Sequence, residues 1–190
     1  MDRYGVFSIS FPRWNEGRRG RLHCKPERHL SDSWPTLVIE AGYTQSLPSL
    51  RSKMRWWFNE SNGDVKIVVL AKLYPRRQAI LLEKYIRGPR VPRPGATNTR
   101  RSSAAAAMPE PNCHQEIWVK RTPGSNPATY VATGALILEF PLLFLHQADP
   151  ARGERNIVIN VPDLQEWSLS CATRLPRPKS NVSKTPLRTR

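Results

Sequence analysis

The chain reads as one α/β (α+β) domain, a mixed sheet flanked by helices, and three observations predict this. A short, continuous run of β-formers at 36–41 precedes an amphipathic helical stripe, and a longer apolar run at 64–74 follows it. Further strand-like runs continue to a helical pattern near the C-terminal end. The length, 190 residues, suits one domain with room for a core.

Taken in order, residues 1–33 mix turn residues with Arg and Lys and keep neither a period of two nor one of 3.6. They read as irregular, with a short strand near Gly5 to Ser10. Thr36 to Ala41, set between Pro35 and Gly42, suits a strand covered on both faces. Ser46 is the expected N-cap of a helix over 47–60, and Pro48 falls in its first turn. Leu47, Leu50, Met54, Trp57 and Phe58 form its apolar stripe, with Arg51, Lys53 and Arg55 off that stripe. Trp56 and Trp57 are expected to be core packing rather than base-stacking groups. Residues 64–74 read as a central strand and 79–86 as its hairpin partner. In that partner Glu83 and Lys84 are expected to be exposed. Residues 87–112, rich in Pro, Arg and Ala, read as a flexible surface insertion. Strands are expected again at 115–121 and 135–145, where Glu139 would lie on the open face of the sheet. A short strand end at "NIVINV" and a helix over 164–175, capped by Asp163, close the domain at about residue 174. Residues 175–190, with prolines and basic residues but no acid, read as a disordered tail.

Hydrophobic residues make up 39% and prolines number 18, consistent with chain outside the packed core. Lys and Arg number 30 against 15 acids, a formal charge of +15, which attracts polyanions in a salt-dependent way. The three cysteines, Cys24, Cys113 and Cys171, form no CxxC pair, which fits a reducing, intracellular setting, cytoplasmic or nuclear. The N-terminal residues do not read as a signal peptide, and "GALILEFPLLFL" is too short to span a bilayer, so neither secretion nor a membrane is expected. Phosphate-loop, dinucleotide, HExxH, GxSxG and zinc-deaminase signatures are absent, and no small-molecule cofactor is evident.

One feature stands out against this background: Glu40, a carboxylate near the end of an apolar strand and just before a basic helix. The plain reading is a strand-end acid that faces water or pairs with Arg51. The stretch "WPTLVIEAGYTQSLPSLRSKMRWWFNESNGDVKIVVLAKL" followed by "ILLEKY" resembles a group of uncharacterised fungal proteins of the PD-(D/E)XK restriction-endonuclease-like type. The resemblance runs over 34–86 and, more weakly, over 113–172. It implies a nuclease core in which an Asp on one strand and a (D/E)xK pair on the next hold Mg²⁺, which activates water and stabilises the phosphodiester transition state. Carried onto this chain, Glu40 matches the acid of the (D/E)xK pair, and Gly42 stands where its lysine belongs. The basic group would then come from the following helix, at Lys53 or Arg55, although arginine is no base at neutral pH. The upstream acid falls on Glu27, in "CKPERHL", or on Asp32. The implied metal ligands are therefore Glu40 with Glu27 or Asp32. The implied nucleic-acid contacts are Arg51, Lys53 and Arg55. The helix and first strand of the family pattern are poorly represented in the opening 33 residues, which implies an N-terminally shortened chain. Three readings follow: a metal-dependent nuclease with a degenerate or inactive site, a non-catalytic basic module for nucleic acid or another polyanion, and a truncated product without specific function.

Overall fold

The computed structural model describes residues 21–24, 34–88 and 109–174. Strand β1 (Arg21–Cys24) pairs antiparallel with β2 (Leu37–Gly42), Arg21 opposite Glu40. Helix α1 (Leu47–Glu60) follows, because Ser46 caps it: its hydroxyl accepts the Ser49 amide at 3.3 Å. Leu50, Met54, Trp57 and Phe58 form its buried stripe. The helix ends at Ser61, and Asn62 and Gly63, both at positive φ, turn the chain. Strand β3 (Ile67–Tyr74) then lies parallel to β2, with Leu37 opposite Ile67 and Gly42 opposite Lys72. A 3-10 turn, Pro75–Arg77, and Gln78 at positive φ lead into antiparallel β4 (Ala79–Arg87). β5 (Pro111–Arg121) and β6 (Tyr130–Ala132) complete a mixed sheet of order β1-β2-β3-β4-β5-β6. β7 (Leu136–Leu138) and β8 (Ile157–Ile159) form a separate two-stranded ribbon, accompanied by α2 (Phe140–Phe144) and α3 (Val161–Arg174). The architecture is thus mixed α+β, and the strand–helix–strand–strand order expected from the sequence is present.

Successive strand residues point to opposite faces. On one face Ile39, Val69, Leu82 and Val119 pack with Leu136, Leu138, Leu143 and Leu164. On the other, Val38, Val68, Leu70 and Tyr85 pack with the stripe of α1. Helix α1 lies over β2 and β3. On the same face α1 also reaches Glu83 and Tyr85 of β4, whereas Tyr74 and Trp118, further along β3 and β5, are only half-buried. No helix among the described residues is long and apolar enough to cross a membrane.

Several boundaries differ from the sequence reading. Residues 135–145 do not form one strand: β7 stops at Leu138, and Pro141, harmless in a first turn, starts α2. The first 33 residues contain β1, and β5 begins at Pro111, within the stretch read as an insertion. Asp163 lies in the first turn of α3 and accepts the Asn160 amide at 3.2 Å, so the helix begins earlier than expected. The strand expected near Gly5 to Ser10, residues 89–108 and the tail 175–190 lie outside the described residues.

Candidate functional site

The register of the sheet sets Glu40, Leu70, Glu83 and Glu116 in one row across β2, β3, β4 and β5. Residues in register share a face, so Glu40 and Glu83 both point towards α1. Their backbones stand two strand spacings apart, about 9.6 Å. Both side chains are 1% exposed, so neither is the wet strand-end acid or exposed strand position that the sequence suggests. A carboxylate buried to this depth needs hydrogen-bonding or charged partners. Each has them.

Glu40 accepts the indole N–H of Trp57 on Oε1 at 3.0 Å, and its Oε2 lies 3.7 Å from the ammonium of Lys53. Lys53 also reaches Gln45 Oε1 at 3.4 Å. The pairing of Glu40 with Arg51 is corrected: Arg51 belongs to Glu83. Its Nε donates to Glu83 Oε2 at 3.0 Å and its Nη2 donates to Oε1, a two-pronged guanidinium–carboxylate contact. The hydroxyl of Tyr85 donates to Glu83 Oε2 at 2.9 Å. Glu83 holds the Arg51 guanidinium charged, above the usual arginine range, chiefly through this hydrogen bonding. Burial, then the bond to Glu83, holds the Tyr85 phenol above its usual range. On the opposite face Lys84 is buried too, its ammonium donating to Ile137 O at 2.8 Å and to Glu139 Oε1. Glu139, expected on an open sheet face, therefore sits at the start of α2 as the partner of Lys84.

No lysine stands two residues after Glu40; that position is Gly42, packed against α1. A Cβ there would lie 2.8 Å from Leu50 Cδ1, so α1 fills the space that a side chain at position 42 would take. The cation near Glu40 comes instead from α1, as Lys53. Arg55 is exposed and makes no hydrogen bond or ion pair with Glu40 or Glu83. The site thus brings together Glu40, Lys53 and Arg51, and leaves Arg55 out. Glu27 and Asp32 lie outside the described residues. Sequence reasoning missed Glu83, Tyr85 and the indole of Trp57. The signal for Glu83 was present: "ILLEKY" sets an acid inside an apolar run, as "LVIEAG" does. Trp57 is core as expected, whereas Trp56 is 48% exposed and packs edge-on against Trp34 and Trp57.

Among the described residues, the donor set does not fit a Mg²⁺ ion. A hard divalent ion needs carboxylate oxygens open to it. Both oxygens of Glu83 hold Arg51, one of them Tyr85 as well, and those of Glu40 face Trp57 and Lys53. No group of three or more His, Cys, Asp or Glu gathers at metal-binding spacing among the described residues. What the arrangement does chemically is neutralise two buried acids and lock α1 onto the sheet. No protein-family model, no curated protein and no solved structure matches the chain.

Proposed function

We propose that this chain is a nuclease-like module that binds nucleic acid through its phosphates and does not cleave it. The observation behind this reading is the closure of both buried carboxylates by donors of the fold itself, Arg51 and Tyr85 on Glu83, Trp57 and Lys53 on Glu40. Acids held this way position a helix; they do not present ligands to a metal. The resemblance to the PD-(D/E)XK type supports the framework, with Glu40 on its strand and Lys53 on the following helix. The formal charge of +15 supports a polyanionic partner. Phosphate contacts of this kind carry no sequence information, so the binding is non-specific and steeply salt-dependent.

The test is fluorescence anisotropy with labelled duplex and single-stranded oligonucleotides across a salt series, with a cleavage assay in Mg²⁺ and Mn²⁺ alongside. Binding that weakens linearly in log salt, with no cleavage above the Glu40→Ala background, is the expected result. Metal-dependent hydrolysis that disappears in Glu40→Ala would establish the enzyme instead. Absence of binding at low salt would leave the basic charge without a partner.

A further inference from the structure

The half of the sheet face that α1 leaves uncovered carries its own chemistry. Tyr74 stands opposite Ala79, which stands opposite Lys120. Lys72 stands opposite Leu81, which stands opposite Trp118. Across β4, the Tyr74 and Trp118 rings stack, with centroids 5.7 Å apart and planes at 27°. Both are only half-buried. Three cations ring the pair: Lys72 Nζ at 5.4 Å and Arg77 Cζ at 5.7 Å from the Tyr74 ring, and Lys120 Nζ at 5.0 Å from the Trp118 ring. Lys72 is the buried one of the three and donates to Tyr43 O at 2.7 Å; Arg77 and Lys120 are exposed. None of the three pairs with a carboxylate among the described residues; the ion pairs of those residues lie elsewhere. Glu116, which accepts the Trp118 indole N–H at 2.9 Å, is the acid of this face and lies at its end nearer Glu83. Arg77 also lines a depression of about 570 Å³ at the β3–β4 turn, together with Arg121, Gly124 and Ser125. Arg121 is held there by Gln78 Oε1 and Ser125 O, each at 3.1 Å.

From this geometry we propose that the Tyr74–Trp118 pair is a stacking platform for unpaired bases of single-stranded nucleic acid, with Arg77 and Lys120 taking the flanking phosphates and Lys72 adding positive charge beneath the rings. The inference rests on the nucleic-acid reading above and names the site and the form of the ligand. Every base has a π-face, so stacking on aromatic rings tolerates any sequence, and cations beside the rings supply the backbone contacts. A duplex hides those faces in its own stack, which makes the unpaired strand the better ligand. Charge selects the occupant: the cations suit a polyanion and disfavour a basic or neutral peptide.

The probe is a labelled oligothymidylate of about 12 nucleotides, within the span a small domain covers, and the same strand annealed to its complement. Wild type is expected to bind the single strand more tightly than the duplex. Trp118→Ala and Tyr74→Ala are each expected to weaken single-strand binding about tenfold, with duplex binding unchanged. Trp118→Phe keeps an aromatic ring and should restore most of the affinity, while thermal unfolding of each variant reports whether the fold survives. Single-strand binding equal to wild type in both folded alanine variants would overturn the platform and leave the phosphate reading standing. Absence of binding to either probe at low salt would overturn both. A dimer that dissociates on Trp118→Ala would show that a second copy occupies the face, which also overturns the proposal.

Discussion

One face of the sheet holds two clusters with opposite uses of charge. Under α1, Glu40 and Glu83 are matched to Lys53, Trp57, Arg51 and Tyr85, and the cluster is closed. Beyond the helix, Tyr74 and Trp118 are ringed by Lys72, Arg77 and Lys120, and no described carboxylate balances these cations. The first cluster acts as internal support. The second carries no catalytic motif and has the open, cationic, aromatic character of a binding surface. A carboxylate out of place in an apolar strand is therefore informative only once its partners are known.

If the clusters divide the work in this way, substitutions under the helix change stability and those beyond it change binding. The largest effect is expected for Arg51→Ala, which leaves Glu83 buried without its cation. A loss of about 2–3 kcal/mol in a urea melt is expected, below the roughly 3–5 kcal/mol of a fully buried pair because Arg51 is partly exposed to water. A double-mutant cycle with Glu83→Gln should show strong coupling, and additive losses would rule out the pairing. Trp57→Phe keeps most of the packing but removes the donor to Glu40, for an expected loss of about 1–2 kcal/mol by the same measurement. Tyr85→Phe removes one bond to Glu83, for about 1 kcal/mol at neutral pH.

Tyr85 also separates the two clusters by pH. Its folded phenol titrates above the unfolded value of about 10. A group raised in the fold contributes fully below the unfolded value, and its contribution drains away as pH rises through the folded one. Wild type should therefore lose stability more steeply than Tyr85→Phe above about pH 10. Parallel curves would contradict the buried, bonded phenol. The smallest stability effect belongs to the open cluster. Arg77→Gln with Lys120→Gln should leave unfolding within about 0.5 kcal/mol of wild type. The same double variant should flatten the salt dependence of single-strand binding, by about 0.7 in log–log slope for each phosphate no longer neutralised.

The sequence showed the scaffold better than the site. Helix α1 was legible because a cap, a proline and an apolar stripe agree along one stretch. β3 and β4 were legible as apolar runs around a basic turn. β1 was hidden because its pairing depends on β2, a long-range partner that gives no local period. The break at Glu139 was hidden because Leu136 to Leu145 reads as apolar in either state, strand or short helix. Glu40 was legible as an acid out of place, but the burial of Glu83 depends on which face of β4 meets α1. That face is set by sheet register, which local pattern alone does not show. Tyr74 and Trp118 lie far apart in sequence and become neighbours only across β4.

Closure of the buried carboxylates to metal separates a binding module from an enzyme. Titrating Mg²⁺ and Mn²⁺ into the purified chain by calorimetry, with Glu40→Ala as the control, tests that closure at the carboxylate itself. No saturable heat is expected in either protein. Saturable binding in wild type that vanishes in Glu40→Ala would reopen the site and return Glu40 to the role of a metal ligand.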